Sequence, residues 1–211
     1  MSVVTEKTSR AMEVLITSAS PVALMFGKIL ASSVAGLLQI VAVFGSAFVS
    51  YNINKSYFEN NAIVTAFFNF PASLIGYLII FFLLGFLIYS FLFGAMASTV
   101  SKIEDLSSSI MLIQIIFVIG YVASTSAMST GEINTPIMKF LSLLPFTSPM
   151  AMFTRLAMSE VPGLEVILSV ILLILSTVFI GFIAAKIYRV GVLMYGTKPN
   201  LRKIIKAIRE N

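Results

Sequence analysis

The chain has 211 residues, of which 58% are hydrophobic and 11% charged, with a net charge of +5 and a mean hydropathy of +1.01. So little polar surface cannot coat a soluble helical core, and a membrane protein is expected. The absence of Cys and His excludes thiol chemistry, disulfides, Cys/His metal sites and imidazole acid–base catalysis, and the absence of a G-x-x-x-x-G-K-[ST] phosphate loop excludes P-loop hydrolysis of ATP by the chain itself.

In chain order, residues 1–26 read as an amphipathic helix and its lead-in to a span. Glu6, Arg10, Glu13 and Thr17 recur at helical spacing, with Met12, Leu15, Ile16 and Ala19 on the opposite face. Glu6 and Arg10 also make an i,i+4 pair of favourable order. Ser20-Pro21 stops this helix and starts the next, because Ser caps a helix and Pro loses least at its first position.

Four runs without Asp, Glu, Lys or Arg follow, at 29–54, 60–101, 106–131 and 166–185. Each is at least as long as the roughly 20 residues that carry a helix across a bilayer. They predict spans near 27–50, 72–98, 109–128 and 165–186 within a transmembrane domain of residues 27–187. The long second run is read as one crossing, because Asn60, Asn61, Asn69 and Pro71 mark its first third as interfacial and leave 62–68 as a short apolar approach.

Polar groups within the third span are few. Gln114, Ser124, Thr125 and Ser126 are candidates for lining a pathway, and they serve equally as interhelical hydrogen-bond partners. No carboxylate lies in any of the four runs, which disfavours a self-contained cation carrier.

Residues 129–164 form an outer segment. Pro136 and Ser148-Pro149 look like helix starts, the second with Ser148 as cap, and predict short helices around 136–144 and 149–159. Two arrangements fit: an amphipathic pair resting at the outer interface, and a re-entrant hairpin closing the outer mouth of a pathway. Residues 188–211 form a basic tail, with Leu201, Ile204, Ile205 and Ile208 opposite Arg202, Lys203, Lys206 and Arg209, suited to lie on anionic lipid.

With these spans, Lys7, Arg10, Lys28, Lys102, Lys186, Arg189, Lys198, Arg202, Lys203, Lys206 and Arg209 fall on one side, leaving Lys55, Lys139 and Arg155 on the other. The basic side is expected in the cytoplasm with both termini, and the protein in the cell membrane. The basic residues flank spans instead of interleaving with stacking aromatics, so nucleic acid is a poor partner. No n-region, short apolar core and small-residue site opens the chain, so no cleavable signal peptide is expected.

The run Glu6-Lys7-Thr8-Ser9-Arg10, then Glu13-Val14-Leu15 and, after Ser20-Pro21, Leu24-Met25-Phe26-Gly27-Lys28-Ile29-Leu30, resembles the coupling helix and following span of type-2 ABC exporter permeases. Leu144-Pro145-Phe146-Thr147-Ser148-Pro149 and the run from Ala184 to Gly196 are similar to that family's outer re-entrant region and last span exit. Within the family, the chain most resembles the bacterial branch linked to sodium efflux. The resemblance implies a permease subunit that binds no cofactor itself, pairs with a second permease, and rests on ATP-binding cassette subunits that hold ATP and magnesium. Carried over residue by residue, it implies that Glu6, Arg10 and Glu13 contact the ATPase, that Pro145, Ser148 and Pro149 belong to the outer re-entrant region, and that the turn at Lys102, Glu104 and Asp105 lies near the ATPase.

Family members begin with an elbow helix, a span, an outside domain and a second span before the coupling helix. Here that helix falls within the first residues, so the chain reads as the C-terminal half of such a permease, with a reduced permease that needs another chain to supply the missing spans as the alternative. Two other readings stay open: a non-transporting accessory or scaffold subunit, which has no reason to carry the charged helix, and an ion-driven carrier. An intramembrane enzyme is disfavoured by the lack of His, Cys and paired carboxylates within a span.

Overall fold

The computed structural model describes residues 2–58, 61, 64, 68 and 71–193. Among these residues every regular element is helical: α1 (Ser2–Thr8), α2 (Ala11–Ser18), α3 (Pro21–Ile53), the single turn α4 (Lys55–Phe58), α5 (Ala72–Thr99), α6 (Leu106–Thr130), α7 (Pro136–Leu143), α8 (Ser148–Met158) and α9 (Gly163–Gly191). Four of them, α3, α5, α6 and α9, are long and apolar enough to cross a membrane. The 33 residues of α3 rise about 50 Å, beyond the roughly 30 Å of a hydrocarbon core, so at least one end stands clear of the bilayer.

Local chemistry fixes several helix ends. The Ser20 hydroxyl accepts from the Ala23 N–H at 3.2 Å ahead of Pro21, and Thr135 does the same for Met138 ahead of Pro136. Gly131 ends α6 in the left-handed region at φ 74°, its N–H bonded to the Ala127 carbonyl.

Two local expectations are corrected. The single amphipathic helix through Glu6, Arg10 and Glu13 is broken in two, with Arg10 at φ 60° between α1 and α2. The fold-back lets Val3, Val4 and Met12 share one buried cluster with the long helices, which offsets the roughly 1–2 kcal/mol of a left-handed non-glycine residue. The i,i+4 pair of Glu6 with Arg10 is lost, and Glu6 pairs instead with Lys28. At α8, Thr147 and not Ser148 holds the N-cap position; Ser148 is drawn into the first turn while the Thr147 hydroxyl donates back to the Leu141 carbonyl at 2.6 Å. The approach segment 62–68, apart from Val64 and Phe68, Asn60 and Asn69, and the basic tail beyond residue 193 lie outside the described residues.

The most extensive helix pair is α5 with α9. One buried cluster joins α1, α2 and α3 to the C-terminal ends of α5 and α9 through Met12, Met25, Val100, Tyr188 and Val192. A second fills the middle, around Phe81, Ile88, Tyr89, Met152 and Leu173, and a third lies under α7 and α8. By contrast α3 leaves much of its apolar length exposed, including Val34, Leu38 and Val41.

Candidate functional site

The structure concentrates polar chemistry at two places, one at each end of the long helices. At the first, α1 lies against the C-terminal ends of α5 and α9. Lys7, only 2% exposed, donates from Nζ to the Ser98 carbonyl at 2.7 Å and to the Gly191 carbonyl at 2.9 Å. Both carbonyls belong to final helical turns, whose C=O groups have no intrahelical N–H, and the ammonium faces the negative ends of two helix dipoles. Gly191 allows the two tips to meet: a Cβ there would overlap the Ser98 side chain and come within 2.9 Å of its carbonyl carbon.

Burial disfavours the charged amine, and desolvation lowers the Lys7 pKa from 10.5 to about 8. The neutral amine still has two N–H donors, so both carbonyl bonds survive deprotonation. Next to Lys7, Glu6 is half-buried and pairs with Lys28 of α3. Two consecutive residues of α1 therefore reach three long helices. Arg10 and Glu13 face away from these contacts and are exposed, as are Lys102 and Glu104 in the turn after α5.

At the other end, α7 and α8 fold into a hairpin whose apex reaches the midpoints of two long helices. Pro149 sits so close to Gly85 that a Cβ there would stand 2.7 Å from it, Thr147 packs on Gly120, and the Tyr89 hydroxyl donates to the Phe146 carbonyl at 2.7 Å. The hairpin is anchored by Arg155, which is 1% exposed. Its Nε donates to Asn134 Oδ1 at 3.2 Å, one terminal nitrogen to Ser142 Oγ at 2.8 Å, and the other to Glu165 Oε2 at 2.7 Å. Ser169 of α9 adds a bond to the Ser142 carbonyl at 2.7 Å. Between the apex and α5 runs an apolar groove of about 440 Å³, lined by Phe82, Phe86, Phe93, Phe117, Met150 and Phe153 among others.

Of the polar candidates on α6, only Ser124 is buried, its hydroxyl without a hydrogen-bond partner; Thr125 is half-buried and donates to the Tyr121 and Val122 carbonyls, while Gln114 and Ser126 are exposed. Successive residues of a helix point about 100° apart, so these four cannot share one face. Pro145, Ser148 and Pro149 come together at the hairpin apex, where the Ser148 hydroxyl is also buried and unpartnered. Among the described residues no group of three or more Asp or Glu could hold a metal ion.

Two polar clusters escape a reading by residue type. Lys7 counts there only as a basic residue on one side of the membrane, although its spacing from Val3 and Val4 puts it on the apolar face of α1. Arg155 counts there only as one of three cations on the sparsely basic side, with Glu165 ten residues further on.

A family profile described as "ABC-2 family transporter protein" matches residues 1–186. The chain is 34% identical over 212 residues to the uncharacterized protein YhaP of Bacillus subtilis (strain 168), an alignment covering 99% of this chain and 50% of that protein. It is 33% identical over 210 residues to the uncharacterized protein MJ1024 of Methanocaldococcus jannaschii, covering 98% of this chain and 48% of that protein. The chain thus spans about half the length of these curated relatives. No solved structure matches.

Proposed function

This chain belongs to the ABC-2 family of transporter membrane proteins, and from that premise we propose that it is the permease part of an ATP-binding cassette exporter, moved by ATP hydrolysis on a separate subunit. The observation that carries the proposal is the divided N-terminal segment. Arg10 and Glu13 on its exposed side suit charge-complementary contacts with a soluble ATPase, while Glu6 and Lys7 hold its inner side to the long helices. A scaffold subunit has no use for such a link. The N-terminal end and the basic tail then face the cytoplasm of a cell-membrane protein, and the tail rests on anionic lipid.

The α7–α8 hairpin acts as a re-entrant plug entering from outside, its backbone shielded by α5, α6 and α9. Gly85, the contact of Pro149, is about 20 Å along α5 from its start, so the apex sits near mid-bilayer and must shift for a substrate to pass. A second permease subunit, of the same or another kind, completes the pathway. Sodium as the exported substrate rests on the resemblance alone, and ATP-dependent sodium flux in proteoliposomes would test it separately.

Tagged purification from native membranes in mild detergent, followed by mass spectrometry, tests the main reading. A nucleotide-binding subunit should come with the protein and be lost with Glu13→Arg. If no such subunit appears in either preparation, the permease reading fails and the accessory-subunit reading replaces it.

A further inference from the structure

We infer that Lys7 is a positioning residue that pins the N-terminal helix pair to α5 and α9, so that a displacement of α2 is delivered to those two helices directly and not only along the chain into α3. The inference rests on the permease reading for its use, but its geometry stands without it. Connectivity would route motion through Ala19 and Ser20 into Pro21, with Met12 and Ile16 of α2 packed in one cluster with Met25 and Ile29 of α3. The side chains tell of a different path. Lys7 bonds one carbonyl in the last turn of α5 and one at the end of α9, and it is only 2% exposed.

Three features make this contact a pin and not an incidental surface bond. It is shielded, so water cannot substitute for either carbonyl at low cost. It is bifunctional, so α5 and α9 cannot separate at their tips without one carbonyl losing its donor. It is matched by a glycine, since Gly191 is the residue whose missing Cβ lets the two tips approach. The Glu6–Lys28 pair on the neighbouring residue links α1 to α3 independently and is partly exposed, so the α3 link survives loss of Lys7.

The chain has no Cys, so spin labels can be placed in pairs without background. One label at Ser9→Cys is combined in turn with Lys102→Cys beyond α5, Arg189→Cys on α9 and Ala23→Cys on α3, all exposed positions, and distances are read by pulsed EPR in lipid nanodiscs. With Lys7→Met the first two distributions should shift to longer values and broaden, the α3 pair should hold, and Lys7→Arg should restore the narrow distributions. Unchanged α5 and α9 distances in Lys7→Met overturn the proposal, and so does equal broadening of all three pairs, which would make Lys7 a general fold residue. If Lys7→Met does not accumulate, Gly191→Ala opens the same tips from the other side and should lengthen the first two distances only; no change there is equally fatal.

In the complex with its ATPase, Lys7→Met should keep the subunit bound and hydrolysing while transport per ATP falls at least several-fold. Failure to recover any ATPase counts against the permease reading and leaves the distance result intact.

Discussion

Arg155 is the residue whose loss should cost most. Its guanidinium is buried and shares three acceptors, so Arg155→Leu strands Glu165, Asn134 and Ser142 together. Glu165 is 29% exposed and keeps some solvent when its partner is lost, so Arg155→Leu should cost less than the about 3–5 kcal/mol of breaking a fully buried pair, and thermal unfolding in detergent should still show a clear drop, with Glu165→Gln also destabilising and the double substitution less than additive. Arg10 offers the opposite case, a residue whose backbone and charge can be separated. Its φ of 60° suits glycine, so Arg10→Gly should preserve the fold-back and raise thermal stability slightly while weakening recovery of the ATPase subunit. Equal recovery with Arg10→Gly and wild type would remove Arg10 from the docking face.

At the scale of elements, the hairpin and the N-terminal pair respond to different perturbations. Gly85→Val forces a branched side chain against Pro149, an overpacking expected to cost about 1–3 kcal/mol and to expose the apex to a thiol reagent at Ser148→Cys, whereas Gly76→Val, which meets open space, should do neither. Docking of α1 should depend on pH. Docked Lys7 titrates near 8, undocked Lys7 at its ordinary 10.5, so between these values the docked state holds fewer protons and docking strengthens as pH rises. Below pH 8 both states are charged, the burial penalty is constant, and the dependence vanishes. Distance distributions of a Ser9–Lys102 label pair at pH 7, 9 and 10.5 check this, and Lys7→Met should abolish the trend. The long helices were legible because hydrocarbon thickness demands charge-free runs of a fixed length, and Ser20-Pro21 specifies a helix start within its own four residues. The break at Arg10 was not legible, because the polar stripe runs through it at unbroken helical period and only burial of Val3, Val4 and Met12 against distant helices selects the fold-back. Arg155 was hidden for the same reason, as its partners are spread from Asn134 to Glu165 and nothing local identifies them.

For the whole molecule, the uneven cover of the long helices is the dominant fact. While α5 is wrapped by α9, α8, α6 and α3, among the described residues α3 meets chiefly α5 and α9, and its exposed face is mostly apolar. In a bilayer this face is compatible with lipid and with further helices alike, which fits a chain spanning half of its relatives. The Arg155–Glu165 pair also imposes an order of assembly. During synthesis the guanidinium leaves the ribosome ten residues ahead of the carboxylate that neutralises it, an interval of about 0.5–2 s at ordinary elongation rates of roughly 5–20 residues per second, and an unpaired charge does not enter hydrocarbon cheaply. On this order the hairpin is expected to seat only once α9 has followed. A nascent chain arrested with residue 160 just exposed should leave Ser148→Cys open to a membrane-impermeant thiol reagent, and one arrested past residue 191 should protect it.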